Sequence, residues 1–160
     1  MSETQDLATF LCHYPLGTGA LDSQQVEDRL CGANAWEERY RQLILLGKAL
    51  PALPESWRGS EQELAGCESK VWLISQRDES GVYHFAADSD ARIVRGLLAV
   101  VLAALNHQGS EAIASFDMEA YFERLQLAKH LSPSRGNGLR AMVNAIRDIT
   151  KNQYNQADIK

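Results

Sequence analysis

VWLISQRDESGVYHFAA, residues 71–87, decides the fold. Val71, Trp72, Leu73 and Ile74 form an unbroken apolar run, which fits a strand over Val71–Ser75 buried on both faces. Asp78-Glu79-Ser80-Gly81 is turn material. Val82–Ala87 then reads as the returning strand of a hairpin. The sequence on either side of this hairpin is helical in period. A small antiparallel sheet packed against helices follows, an α+β architecture. A third strand is allowed but has no clear place.

Working outward, Asp88-Ser89-Asp90 reads as a helix N-terminus, where acids suit the positive end of the dipole. The helix it opens, from Ala91 to about Leu105, carries Arg92 and Arg95 in its first turn. From Gly96 onward it is apolar on every side, as a central core helix should be. Upstream, Asn34 with Glu37 three residues later resembles a capping box. Trp36, Tyr40, Leu43, Ile44, Gly47 and Leu50 follow on one face, and Pro51 and Pro54 stop the helix. A short helix is expected after Asp22, and another capped by Asp117. Ser132–Gly138 reads as a loop, followed by a helix with Leu139, Met142, Val143, Ile146 and Ile149 on one face. The expected organisation is a flexible N-terminal segment over 1–20, one domain over 21–152 and a polar tail over 153–160.

With 160 residues the chain is long enough for one well-filled core. A formal charge of −5 without a basic stripe argues against direct nucleic-acid binding. The longest pure apolar stretch, LLAVVLAAL at 97–105, is far short of a membrane span. The start has no basic region ahead of its short apolar piece, so a cytoplasmic protein is expected.

Three cysteines, Cys12, Cys31 and Cys67, make an odd count with no CxxC pair. With His13, His84, His107 and His130 scattered, nothing has zinc-finger spacing, and no metal site is expected. Cys12 lies in the N-terminal segment and Cys31 at a helix boundary, neither with an evident base. Cys67 sits in ELAGCESKVW, at the entrance to the first strand. A lone cysteine is most often a small buried hydrophobe. Yet Gly66 removes a side chain beside the thiol and permits close approach by another chain. Glu68 and Lys70 make the surroundings polar, and a turned Lys70 would favour a thiolate. The residues leave filler, metal ligand, redox thiol and carrier open. No hydrolase, metalloprotease or dinucleotide fingerprint is present.

Four stretches, WEERYRQLILLGKALPALP (36–54), AGCESKVWL (65–73), DSDARIVRGLLAVVL (88–102) and HLSPSRGNGLRAMVNAI (130–146), resemble the SufE family of sulfur acceptor proteins. The resemblance spans roughly residues 34–150. HYPLGTG (13–19) with a short helix after it is similar to the CsdE-like type within that family. The resemblance implies the fold shared with the iron–sulfur scaffold family. It implies a chain that takes persulfide sulfur from a cysteine desulfurase onto Cys67, stimulates that enzyme, and passes sulfur to iron–sulfur cluster assembly or tRNA modification. The chain would then have no cofactor of its own, the partner using pyridoxal phosphate. A ubiquitin-activating-like tRNA adenosine dehydratase is a further implied partner. Gly66, Glu68, Lys70, Asp88, Asp90 and Arg135 fall on matching stretches and are carried as supporting or docking residues. Two other readings stand beside this one. The chain is an interaction module that activates a desulfurase allosterically, or a thiol oxidoreductase in which Cys31 resolves Cys67.

Overall fold

The computed structural model describes residues 3–17, 20–59, 62–64 and 69–159. The hairpin is present: β1 (Val71–Arg77) pairs antiparallel with β2 (Val82–Ser89), Val71 opposite Ser89 and Arg77 opposite Tyr83. A third strand, β3 (Gln108–Gly109), joins the far side of β2 and completes the order β1-β2-β3. Its two residues carry no alternating pattern, so nothing in the sequence marks it.

Seven α-helices surround the sheet among the described residues: α1 (Glu3–Cys12), α2 (Ser23–Cys31), α3 (Trp36–Lys48), α4 (Arg92–Leu105), α5 (Ser110–Ala114), α6 (Met118–Arg124) and α7 (Pro133–Ile159). α4 is the centre of the core; every residue from Gly96 to Ala103 is buried. It crosses α3 at a glycine-to-glycine contact. A Cβ on Gly96 would overlap the Leu43 carbonyl, and one on Gly47 would lie 2.8 Å from the Gly96 nitrogen. Only glycine permits backbones to approach so closely.

The helices after Asp22 and Asp117 form as read, Asp117 caps its helix as read, and Asp22 proves to be a cap as well. The Asp22 carboxylate accepts from the Gln25 N–H while Gln25 reaches back to the Asp22 N–H, a reciprocal box. Asp117 accepts from Ala120 N at 3.1 Å. Three expectations are corrected. Asn34 and Glu37 do not cap α3; Ala35 stands at that position without a side-chain bond. Asp88 and Ser89 do not open α4 but end β2, and α4 begins at Arg92. Residues 133–138 are not loop but the first turns of α7. Ser132 Oγ accepts from Arg135 N at 3.3 Å and Pro133 takes the first helical position, where its missing N–H costs nothing. The N-terminal segment carries α1, and Leu11, Tyr14 and Leu16 are buried in the core. The polar tail continues α7 as helix through Ile159.

Asn106 fastens the N-terminal segment to the sheet. Fully buried, its side chain accepts from Phe85 N (2.7 Å) and donates to Phe85 O and Leu16 O (both 2.9 Å). A buried amide is tolerated when its bonds are made in this way.

Candidate functional site

Ala65, Gly66, Cys67 and Glu68 lie outside the described residues, so the site is built from what holds the two ends of that segment. On the entry side, residues 62–64 run antiparallel to the start of β1. Leu64 N donates to Val71 O at 2.8 Å, Leu73 N donates to Gln62 O at 2.9 Å, and Glu63 bridges to Trp72. Residues 65–70 are therefore the span between two hydrogen-bonded ends.

The exit side is held by the end of β2. The Lys70 carbonyl accepts from Ser89 Oγ at 2.7 Å and from Asp90 N at 3.3 Å. The Lys70 N–H donates to the Asp90 carboxylate at 3.2 Å. Lys70 thus acts through its main chain, with its side chain exposed. Ser89 Oγ also accepts from Ala91 N at 3.2 Å, which ties the same anchor to the start of α4.

Asp88 sits behind this anchor and is buried. Its carboxylate accepts from Leu53 N at 3.0 Å, from Ser89 N at 2.7 Å and from the Arg95 guanidinium. Arg95 also donates to Leu50 O at 2.7 Å. A buried carboxylate persists when it is paired and hydrogen-bonded in this way. Together, Asp88 and Arg95 bind the segment after α3 to the joint between β2 and α4. Sequence reading misses Arg95, because its pairing with Asp88 exists only once the strand has turned into the helix.

A cavity of about 200 Å³ opens beside Ser69. Val71, Val94, Leu97, Leu98, Leu139 and Met142 line it, and Ser134 and Arg135 close its rim. Val71 comes from β1, Val94, Leu97 and Leu98 from α4, and the rest from the first turns of α7. Arg135 is exposed and belongs to the first turn of this long helix, so a guanidinium and the positive end of the dipole stand at the mouth. Gly138 adds backbone to the wall. Of the seven residues carried from the sequence, the structure brings Lys70, Asp88, Asp90 and Arg135 to one end of the sheet. Gly66, Cys67 and Glu68 fall on the span outside the described residues.

Cys31 is exposed, and its Sγ lies 3.2 Å from Arg124 O; Cys12 is exposed as well. Among the described residues no cluster of histidine, cysteine and acidic groups has the makings of a metal site. No helix among them is long and apolar enough to cross a membrane.

Residues 24–150 match the SufE family model, described as an Fe-S metabolism associated domain. Over 138 residues the chain is 42% identical to the sulfur acceptor protein CsdE of Escherichia coli, covering 86% of this chain and 93% of that one. Over 130 residues it is 43% identical to an uncharacterized SufE-like protein of Rhizobium etli, covering 79% and 88% respectively. The solution structure of a hypothetical protein from Thermus thermophilus shares the fold at a TM-score of 0.65 and 16% identity, over 81% of this chain and 93% of that one. The chain belongs to the SufE family.

Proposed function

We propose that this chain accepts sulfur from a cysteine desulfurase, with Cys67 as the acceptor. The observation that carries the reading is the pair of hydrogen-bonded anchors at Leu64 and Lys70 that bound the segment holding Cys67, with an apolar cavity that Ser69 and Arg135 share at the exit anchor. The 42% identity to a protein named as a sulfur acceptor, over most of both chains, supports it.

The transfer is thiol exchange. The Cys67 thiolate attacks the outer sulfur of the desulfurase persulfide. The bond between the two desulfurase sulfurs breaks, its electron pair leaves with the desulfurase thiolate, and Cys67 becomes the persulfide. No net oxidation occurs and no cofactor of the acceptor's own takes part; the pyridoxal phosphate is the partner's. Such a reaction requires a thiolate and an unobstructed approach. The first turn of α7 and Arg135 line the same cavity as Ser69, two residues on from Cys67 in the sequence, and positive charge of this kind favours a thiolate that comes near it. The apolar cavity suits a bound sulfur that has to be kept from water and reductants between transfers.

Gly66, Glu68, Lys70, Asp88, Asp90 and Arg135 are supporting residues in this reading. Asp90 and Lys70 set the exit of the span, Asp88 the anchor behind it, and Arg135 faces the partner. Delivery to iron–sulfur cluster assembly, or to tRNA modification through a ubiquitin-activating-like adenosine dehydratase, completes the proposal, as does a cytoplasmic location.

Replacing Cys67 tests the acceptor role. C67A and C67S are expected to bind the desulfurase and lose the gain in its turnover. Full stimulation by both variants would move the assignment to an allosteric activator. Peroxide-driven formation of a Cys31–Cys67 disulfide would instead favour an oxidoreductase.

A further inference from the structure

Asp78, His84 and His107 meet at the end of the hairpin opposite the sulfur span. His84 Nε2 lies 2.9 Å from Asp78 Oδ2, His84 Nδ1 lies 2.7 Å from His107 Nδ1, and His107 Nε2 lies 3.2 Å from the Tyr14 carbonyl oxygen. The protons of this chain can be counted. A carbonyl only accepts, so His107 Nε2 carries a hydrogen. An ionised carboxylate only accepts, so His84 Nε2 carries another. The bond between the two Nδ1 atoms needs a third. Two neutral imidazoles hold two protons between them; these hold three, and the pair bears one positive charge.

Asp78 is ionised in this arrangement. Its Oδ1 accepts from Ser80 N and Val82 N at 2.9 and 3.0 Å, and the bond from His84 is the largest cause that holds its carboxyl below the usual range. Burial lowers the basicity of His107, which suits it to the neutral, accepting role at Nδ1. His107 itself has a φ of +60°, a left-handed conformation uncommon outside glycine. It is held there by its N–H, which donates to Tyr83 O at 3.0 Å and to Asn106 Oδ1 at 3.1 Å. Arg77 at the end of β1, Tyr83 and Asp88 in β2, Glu79 in the turn, His13 and Tyr14 after α1, Arg92 and Arg95 in α4 and Glu111 in α5 are titratable or charged groups on the neighbouring elements. Among the described residues, only Asp78 and the Tyr14 carbonyl bond to the two rings from outside the pair.

We infer that Asp78, His84 and His107 form a proton-loaded clamp that fastens the N-terminal segment to the hairpin and opens when the pair loses its third proton. Tyr14 is the fastened residue. Its carbonyl takes the His107 bond, and its hydroxyl donates to Ala87 O at 3.3 Å, next to the Asp88 anchor. The sign follows from the proton count. As pH falls through the lowered titration of Asp78, the clamp loses its carboxylate. As pH rises and the third proton leaves, one of the three bonds has no hydrogen and breaks. Between those limits the clamp is complete.

The test uses the full chain and long-range ¹H–¹⁵N spectra of the imidazoles. Three protonated nitrogens and one acceptor across His84 and His107, at a pH where the protein is folded, are expected. Two protonated nitrogens at every pH where the protein is folded would overturn the clamp. Amide exchange supplies the second readout. As the pair deprotonates, exchange at residues 11–16 should rise roughly tenfold beyond the intrinsic base-catalysed trend, the loss of one charge-assisted bond. That step should vanish in H84Q and D78N. A wild-type step that persists in both variants would also overturn the proposal, and the wild-type spectra decide alone if either variant fails to fold.

Discussion

Asp88 shows how much one side chain organises here. Its carboxylate satisfies two backbone N–H groups and one guanidinium while buried, so D88A leaves Leu53 N and Arg95 without their partner. The expected loss is about 3 kcal/mol in urea unfolding, in the range for breaking a buried pair from one side. A loss under about 0.5 kcal/mol would mean that the pair behaves as a surface one. Asp90 is exposed and holds only the Lys70 main chain, so D90A should cost under about 1 kcal/mol globally. Its effect should appear instead as faster amide exchange at Lys70 and slower sulfur transfer. Unchanged exchange there would remove Asp90 from the anchor. Both aspartates read as a helix start in the sequence, acids just before an apolar run, and the structure departs from that for a physical reason. β2 extends two residues beyond its apolar pattern because Asp88 finds Arg95 across the joint, a contact that no local rule encodes.

At the scale of elements, the strongly patterned pieces are readable and the exceptions have local causes. The hairpin follows from an apolar run, a turn cluster and a second run, and α4 from an apolar stretch too long for a strand. The first turns of α7 read as loop because Gly136 and Gly138 weigh against helix, each costing about 1 kcal/mol there relative to alanine. The Ser132-Pro133 pair is the signal for the true start: a cap followed by the residue best suited to the first helical position. Gly138 is accommodated in the helix where it lines the cavity and a side chain would take up space. The α3–α4 crossing is the most constrained packing contact, and G96A should destabilise by about 1–3 kcal/mol, as overpacking does. Thermal unfolding checks this; a neutral G96A would show that the helices separate freely.

For the whole molecule, the proposed acceptor Cys67 can be singled out in the sequence because the SufE-like stretches surround it, while the cavity beside Ser69 is assembled from β1, α4 and α7 and has no sequence signature. The core also sets an alkaline limit on stability. Burial raises the titration of Tyr14 and Tyr121 above the usual phenol range, and their hydroxyls donate to Ala87 O and Val100 O. A folded value above the unfolded one stabilises fully below about pH 10, and that contribution is lost as pH rises further. Wild type should therefore lose melting temperature above about pH 10 more steeply than Y14F/Y121F. Parallel profiles would contradict this.

The most direct test of the central claim is the intact mass of the chain after incubation with a cysteine desulfurase and cysteine, followed by peptide mapping without reductant. One added sulfur atom on the peptide that contains Cys67, absent when the desulfurase is omitted, is the predicted result. No added sulfur on that peptide while desulfurase turnover still rises would contradict the acceptor role and leave an activating module in its place.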